Sequence, residues 1–412
     1  MFFKSCFFLF SLFGLVSLLA ASWPNWLGPN FNGSLPKEAI SVPPVGKDYL
    51  MRWDLRVGKG WSSPVVENGL VILHVRENQN EVIYCKELNS GKVKWRFQYK
   101  SQYRDDFGME DGPRSTPAVR KGFVITHSPE GMVYALSFAD GKFIWKRDLK
   151  KDFSSPKGFF GRCSSPLVMN EKIILDVGGK AGLVALSLST GSTLWESEPF
   201  ENDYSSPVPF FAGEKNLCLS LLREGFIALD TNSGEKKFFY PFRSSIDASV
   251  NAASPLVFGN QVFLSSCYGV GAGLWTYHGE SKNENFELKW RNKEILDCHY
   301  STPVMHAGFL YGFHGRQERG PTLRCVESKT GIVQWSLSRL GTGNLVIIGD
   351  KIMIVSESGE LIVLAADPSE AIILHRQQIL GANARSHFAI AGNHLIARDQ
   401  RRLICLSLEA FQ

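Results

Sequence analysis

Arginine, aromatic and histidine side chains recur at one place in a repeated pattern, just before a Ser-Pro or Thr-Pro pair. Three residues before each proline, or its equivalent, stand Trp61, Arg114, Cys163, Tyr204, Ala252, Tyr300, Thr342 and Arg385. One residue earlier stand Gly60, Pro113, Arg162, Asp203, Asn251, His299, Gly341 and Ala384. Guanidinium forks bind carboxylates and aromatic faces stack on planar groups. The two rings therefore predict a site for a planar or anionic ligand.

Seven side chains from these rings are our candidates for ligand or cofactor binding. They are Trp61, Arg114, Arg162, Tyr204, Asn251, Tyr300 and Arg385. The alternative interpretation is that they close a narrow channel and cap the ends of strands. We identify no complete set of catalytic residues. If the protein is an enzyme, Asp203 or His299 is the candidate general base.

Clusters of acidic and histidine residues do not have the spacing of a metal site. The acidic residues Asp105, Asp106, Glu110 and Asp111 match no calcium-loop signature, which favours a solvated loop. His299, His306 and His314 lie close in sequence but show no zinc-ligand spacing. We predict no metal site.

The elements that would position these residues are repeated about every 45 residues, a period typical of β-propeller blades. The pairs that mark the repeat are Ser63-Pro64, Thr116-Pro117, Ser165-Pro166, Ser206-Pro207, Ser254-Pro255 and Thr302-Pro303. Degenerate copies follow at Asn344-Leu345 and His387-Phe388. The sequence therefore predicts an all-β, eight-bladed propeller with four-stranded antiparallel blades.

A glycine turn followed by an aromatic residue marks most repeats a second time. The aromatic residues are Trp95, Trp145, Trp195, Phe238 and Trp335, and the fifth repeat keeps the aromatic residue, Trp290, without the turn. Glycine supplies the positive φ of a tight turn, and the large ring can be buried against the next blade. The last repeat lacks this strand, whereas the segment around Trp53 has its pattern and no repeat of its own. We expect Trp53 to complete the eighth blade and close the ring.

Residues 1–22 have the pattern of a cleavable signal peptide. Lys4 is the only charge before an apolar run, and Ala20-Ala21-Ser22 is a small-residue cleavage site without a neighbouring lipid-bearing cysteine. We predict a lead segment at 23–48 and a propeller at 49–412, in the periplasm or secreted. No other apolar run is long enough to span a membrane.

Composition excludes some classes of partner. The formal net charge of +5 is small for 412 residues and is not clustered, which argues against nucleic acid. The seven cysteines after residue 22 include no C-x-x-C pair. Cys85, Cys325 and Cys405 share a position with Ala135, Ala185 and Ala228, so we expect small buried packing residues.

The repeats resemble those of the quinoprotein-like propellers, named for pyrroloquinoline quinone (PQQ). The best copies are Thr190 to Trp195, preceded by Leu183 to Ser187, and Asp140 to Trp145. The lead from Trp23 to Asn30 is similar to the W-P-x-W-x-G-P opening of secreted bacterial members. The resemblance covers essentially the whole chain after residue 22 and implies an exported propeller.

Two classes within that family suggest different functions. Quinoprotein dehydrogenases hold PQQ and calcium in the central funnel beneath a vicinal Cys-Cys disulfide, and this chain has no Cys-Cys pair. The propeller subunit of the outer-membrane β-barrel assembly machinery binds proteins and does no chemistry. We therefore expect a non-enzymatic scaffold, without a cofactor, that binds envelope proteins or a small planar or anionic ligand. The alternative is a small PQQ-dependent oxidoreductase of alcohols or sugars.

Overall fold

The repeats fold into four-stranded antiparallel sheets arranged around a central channel. The computed structural model describes residues 22–36, 47–213, 215–279 and 285–408, and these form eight sheets in which consecutive strands are neighbours. The first strands of neighbouring sheets contact each other, so they lie innermost. The protein is an eight-bladed β-propeller, and this prediction is confirmed.

The first four blades follow one another along the chain. Blade 1 contains β3 to β6, at Val65–Glu67, Leu70–Glu77, Asn80–Glu87 and Val93–Lys100. Blade 2 contains β7 to β10, at Ala118–Arg120, Phe123–His127, Met132–Ser137 and Phe143–Asp148. Blade 3 contains β11 to β14, at Leu167–Met169, Lys172–Asp176, Leu183–Ser187 and Thr193–Glu196. Blade 4 contains β15 to β18, at Val208–Ala212, Lys215–Leu221, Gly225–Asp230 and Lys236–Pro241.

The last four blades include both strands from the N-terminal side. Blade 5 contains β19 to β22, at Leu256–Phe258, Gln261–Ser266, Gly271–His278 and Asn285–Asn292. Blade 6 contains β23 to β26, at Val304–His306, Phe309–His314, Thr322–Glu327 and Val333–Leu337. Blade 7 contains β27 to β30, at Gly343–Ile348, Lys351–Ser356, Glu360–Ala365 and Ile373–Gln378, with β1, at Ser34–Leu35, added in parallel. Blade 8 contains β31 to β33, at Ala389–Ala391, His394–Arg398 and Arg402–Ser407, with β2, at Leu50–Arg56.

Helical structure is restricted to two short segments of the described chain. The helix α1 spans Leu149–Phe153 and is capped by the Asp148 carboxylate, and a 3₁₀ turn spans Gln317–Arg319. No helix in the described ranges is long and apolar enough to cross a membrane.

Ring closure occurs where we predicted it. The strand β2 pairs with β33, and Trp53 lies opposite Cys405. The Trp53 indole donates a hydrogen bond of 2.8 Å to the Leu88 carbonyl of blade 1. The first and last parts of the propeller are thus held together by strand pairing and by side-chain packing.

The same aromatic contact joins most of the other blades. Trp95 donates to the Phe138 carbonyl and Trp145 to the Leu188 carbonyl, each at 2.9 Å. Each indole also lies on the turn glycine of the following blade, so that a Cβ added at Gly191 would stand 2.6 Å from the Trp145 ring. The turn glycine is therefore required by interblade contact as well as by its positive φ.

Small residues lie opposite these tryptophans in most blades, and the exception is Leu274 opposite Trp290 in blade 5. The cross-strand partners include Cys85 with Trp95, Ala185 with Trp195 and Cys325 with Trp335. All seven described cysteines are free, and six are buried. A small side chain in this column leaves room for the large ring across the strand pair, which accounts for the cysteine or alanine found there.

The Ser/Thr-Pro pairs form a chain of hydrogen bonds around the channel. The backbone N–H of the Ser or Thr in each of the first five pairs donates to the hydroxyl of the next pair. These bonds join Ser63 to Thr116, Thr116 to Ser165, Ser165 to Ser206, Ser206 to Ser254 and Ser254 to Thr302, at 2.9–3.4 Å. We call this ring the collar. The sequence identified these residues only as markers of the period.

The lead segment crosses the channel below the collar. Trp23 exchanges backbone hydrogen bonds with Val66 of blade 1, and the Pro24 carbonyl accepts from Val119 of blade 2. On the opposite side, the Trp26 indole donates to Ser254 of blade 5, and β1 pairs with blade 7. The lead is therefore part of the propeller's core. The predicted signal peptide lies outside the described residues, except for Ser22.

Candidate functional site

A cavity of about 380 Å³ opens on the face that carries the loops between blades. Most of the predicted first ring lines it, and the members that do so are Trp61, Arg114, Cys163, Tyr204, Ala252, Tyr300 and Arg385. Thr342 does not line it, whereas Asn344 does. The repeat register therefore brings these residues together, and their role in binding a ligand stays a prediction.

The second ring is different, since only His299 of its chemically distinctive members lines the cavity. The expected placement of Arg162, Asp203 and Asn251 in the funnel is wrong. All three side chains are buried behind its wall. Adjacent residues of an extended chain point in opposite directions, so a residue next to the lining position turns away from the cavity.

Asp203 belongs to a buried structural network behind this wall. Its carboxylate accepts a hydrogen bond of 2.9 Å from the Asn251 backbone, and its own backbone donates to the Asp176 carboxylate at 3.1 Å. Burial raises the pKa of Asp203 well above the usual carboxyl range, and it raises the pKa of Asp176 to about 7. As a buried acid outside the cavity, Asp203 cannot reach a substrate there as a general base.

Arg162 and Asn251 likewise support backbone behind the wall. Arg162 donates to the Val177 carbonyl at 2.8 Å, and the Asn251 amide donates to the Leu222 carbonyl at 2.8 Å. Both therefore donate to buried backbone carbonyl groups, and Val177 also accepts from the Ser155 hydroxyl.

Every arginine that lines the cavity is paired with a carboxylate. Arg114 lies 2.9 Å from Asp105, a hydrogen-bonded pair, and Arg385 lies 3.1 Å from Glu357. Arg316, which the sequence did not single out, lies 3.3 Å from Glu318. The guanidinium charges are thus balanced locally, so the cavity has less attraction for a free anion than its arginines alone suggest.

Trp61 lies between two of these arginines. The guanidinium carbon of Arg114 is 5.0 Å from the Trp61 ring and that of Arg385 is 4.8 Å from it. Cation–π contact on both sides holds the indole in the wall.

The histidine, cysteine and tyrosine side chains of the cavity have pKa values shifted in the direction that favours their uncharged forms. Burial lowers the pKa of His299, whose Nε2 lies 2.8 Å from the Tyr268 hydroxyl. Burial raises the pKa of the Cys163 thiol to about 12, so it is not a thiolate nucleophile. Burial, assisted by Glu357, raises the pKa of Tyr300 well above its usual value. His299 is the one second-ring residue placed to exchange a proton with a bound molecule.

Exposed aromatic residues surround part of the cavity mouth. Phe107 is 59% exposed and Phe159 is 43% exposed, and both line the cavity with Met109 and the neighbouring Phe160. We call these four residues the rim. The sequence did not predict the rim, because its residues lie in two loops outside the repeated columns.

Asp105 organises the loop that carries Phe107 and Met109. Its carboxylate accepts hydrogen bonds from the backbone of Phe107, Met109 and Glu110 at 2.9–3.1 Å. Burial acts to raise the pKa of Asp105, but these bonds and Arg114 lower it below its ordinary value. The expectation that this acidic cluster is merely a solvated loop is wrong for Asp105 and Glu110, since both are buried.

The lead forms the floor of the cavity. Trp26 and His387 both line it, with ring centroids 5.5 Å apart in an edge-on arrangement. Trp23 stacks on His387, with ring centroids 5.9 Å apart. Because the lead crosses the channel here, the cavity is blind. The W-P-x-W motif indicated the lead, but nothing in the sequence placed it in the channel.

The lining does not fit the calcium that the dehydrogenase resemblance would imply. Glu318 is already paired with Arg316, and no group of three His, Cys, Asp or Glu side chains among the described residues could hold a metal ion. Calcium requires six to eight oxygen ligands, which this lining does not assemble. We therefore derive no chemical step through a quinone–calcium pair.

Comparisons with known proteins agree on the fold. A family model described as outer membrane protein assembly factor BamB matches residues 50–238. BamB of Yersinia pestis is 25% identical over 156 residues, which are 37% of each chain. This chain thus spans little more than a third of that relative's length in the match.

Solved propellers of two functional classes are similar in structure. BamB from Moraxella catarrhalis has a TM-score of 0.64 at 15% identity, covering 88% of this chain and 98% of that one. A europium-containing methanol dehydrogenase has a TM-score of 0.68 at 11% identity, and the match covers 93% of this chain and 91% of that one. Quinohemoprotein alcohol dehydrogenase from Comamonas testosteroni has a TM-score of 0.63 at 12% identity, and the match covers 97% of this chain and 82% of that one. At such identities the likeness shows the fold alone. The chain is an eight-bladed β-propeller that is similar to the PQQ-like propellers, with a distant resemblance to BamB.

Proposed function

We propose that this PQQ-like propeller is an exported, non-enzymatic scaffold that binds another protein in the cell envelope. The signal-peptide pattern of residues 1–22 supports export to the periplasm or beyond. The partial similarity to BamB, an outer membrane protein assembly factor in Yersinia pestis, supports a role in the envelope. The binding surface is the funnel face, which carries the loops between blades.

The observation that carries the proposal is the exposed rim beside a blind cavity. Phe107, Met109 and Phe159 are large apolar side chains with at least 39% of their surface exposed. Isolated exposed apolar residues are common, but a cluster beside a concave site is typical of an interaction surface. Phe107 and Phe160 also contact each other, with ring centroids 5.2 Å apart, which makes the cluster continuous.

The charged groups of the cavity favour binding over chemistry. The three lining arginines are used in ion pairs, and Asp203 is buried behind the wall. His299 and Glu318 both line the cavity, but Glu318 lies 3.3 Å from Arg316, so its negative charge is held in an ion pair. A protein-binding scaffold can use the ion-paired arginines and His299 as contact residues and needs no catalytic acid–base group.

The test is to recover a partner from the compartment that the proposal names. The full chain with a C-terminal tag would be expressed with residues 1–22 in a Gram-negative host that encodes it, and the envelope fraction would be crosslinked before purification. We expect the protein in the periplasmic or outer envelope fraction, with one defined partner recovered in comparable amount. A tagged, exported protein of unrelated fold is the control. Location in the cytoplasm, or no partner beyond the control, would overturn the proposal.

A further inference from the structure

We infer that the funnel binds an apolar polypeptide segment of the partner, with one large side chain inserted into the blind cavity. This inference rests on the proposed function and adds the chemistry of the bound segment. The rim would cover the segment outside the cavity, and the paired arginines and carboxylates would hold its peptide groups.

The rim is held in place before any partner binds. Arg114 donates to the Phe160 carbonyl at 2.7 Å and to Asp105 at 2.9 Å, and so joins the two loops that carry the rim. Lys157 and Asp106 form a second link between these loops at 2.6 Å. Aromatic groups that are already fixed lose little conformational entropy on binding, which favours association.

The blind floor limits how an occupant can enter. Trp26 and His387 line the inner end of the cavity, where the lead runs across the channel between blades 1 and 5. A side chain or the tip of a loop can enter from the mouth and stop against the Trp26 ring. A cavity of about 380 Å³ with mostly apolar walls suits one or two large apolar side chains.

The balance of charge selects a peptide over a free anion. Arg385 and Arg316 keep guanidinium N–H groups beyond those near Glu357 and Glu318, and those carboxylates keep acceptor capacity. Donors and acceptors therefore stand side by side on the wall. A peptide group offers one donor and one acceptor and matches this arrangement, whereas a carboxylate matches only the donors.

A defined peptide tests the inference on the purified mature protein. The probe is acetyl-Gly-Phe-Val-Phe-Gly-amide, and its polar counterpart carries serine in place of the three apolar residues. Trp26 and Trp61 line the cavity, so tryptophan fluorescence reports occupancy. We expect a saturable change with the apolar peptide and none with the polar one.

Variants then locate the bound peptide. Replacing Phe107→Ser together with Phe159→Ser should weaken binding by about tenfold or more. The matched control is Phe143→Ser. It removes a similarly exposed ring from β10, which is the outer strand of blade 2. It should leave binding unchanged. Circular dichroism and melting temperature would show that each variant is folded.

Three results would overturn the inference. They are equal binding of the polar peptide, equal binding by the rim variant, and tighter binding of benzoate, a free aromatic anion, than of the capped peptide. If the unmodified protein retains an envelope partner and the rim variant retains it equally, only this inference fails. If the unmodified protein retains no partner, the proposed function fails regardless of the peptide result.

Discussion

The indole N–H of Trp26 donates a hydrogen bond of 3.0 Å to the Ser254 hydroxyl, although 228 residues separate them in sequence. Ser254 is also a member of the collar, because its hydroxyl accepts from the Ser206 backbone and its backbone donates to Thr302. The lead is thus bonded to the same ring of residues that joins the blades. The cavity floor and the blade arrangement therefore depend on each other.

We expect Trp26→Phe to lower the free energy of unfolding by about 1 kcal/mol, through the lost hydrogen bond. Ser254→Ala should lower it by more, because the hydroxyl also accepts a hydrogen bond from the Ser206 backbone. The double variant should lose less than the sum, since both changes remove one shared bond. Urea denaturation of the four proteins measures this coupling. Strict additivity would show that the Trp26–Ser254 contact does not stabilise the fold.

Gly191 should tolerate no larger side chain, because the Trp145 ring of the preceding blade lies on it. Gly191→Ala places a methyl group 2.6 Å from that ring at a φ of +71°. The control is Gly122→Ala, which has a φ of +81° and no atom within 4 Å of the added group. We expect Gly122→Ala to lower the free energy of unfolding by about 1 kcal/mol, from backbone strain alone. Gly191→Ala should lower the free energy of unfolding by about 1–3 kcal/mol more than Gly122→Ala does, as measured by thermal or urea unfolding.

Equal losses at the two glycines would contradict the account of the interblade contact. In that case the turn would need glycine only for its backbone conformation, which was the whole of the expectation from sequence.

The repeat made the propeller predictable, because each column has one structural role that recurs in every blade. Trp53 could be assigned to the eighth blade since the last repeat lacks only that strand, and its pairing with β33 confirms this. The collar was not predictable. A serine before a proline signals a turn equally well whether its hydroxyl faces solvent or the next blade.

The same distinction applies to the funnel. Trp61 and Arg385 occupy a repeated column, so register alone placed them in the lining. Asp203 stands one residue away from that column, and the alternation of side chains along an extended segment moved it behind the wall. Phe107 and Trp26 lie outside the repeat, in segments whose paths depend on tertiary contacts, and no local pattern fixes those paths.

His387 gives the protein a stability that depends on pH. Burial lowers the pKa of His387 from 6.5 to about 4. As the pH falls from about 6.5 to about 4, the unfolded chain binds a proton that the folded chain does not, so stability is lost across this window. The loss is at most about 3 kcal/mol.

The variant His387→Gln should remove this part of the pH dependence. The free energy of unfolding, measured with urea at pH 7.5 and at pH 5, should differ less between the two pH values for the variant than for the unmodified protein. Some dependence should remain, since burial also lowers the pKa of His127, to about 3. Equal differences in the two proteins would show that His387 does not titrate with a lowered pKa.

Addition of PQQ and calcium should produce no dehydrogenase activity with alcohols or sugars. Each lining arginine is held by a carboxylate, and the described lining offers no set of oxygen ligands for calcium. The candidate base Asp203 is buried outside the cavity. The measurement is visible absorbance and dye-linked activity after incubation with both components, with a quinoprotein dehydrogenase reconstituted in parallel as the positive control. A calcium-dependent visible band with substrate turnover would instead support the oxidoreductase, and loss of that activity in Arg385→Ala would assign it to the funnel.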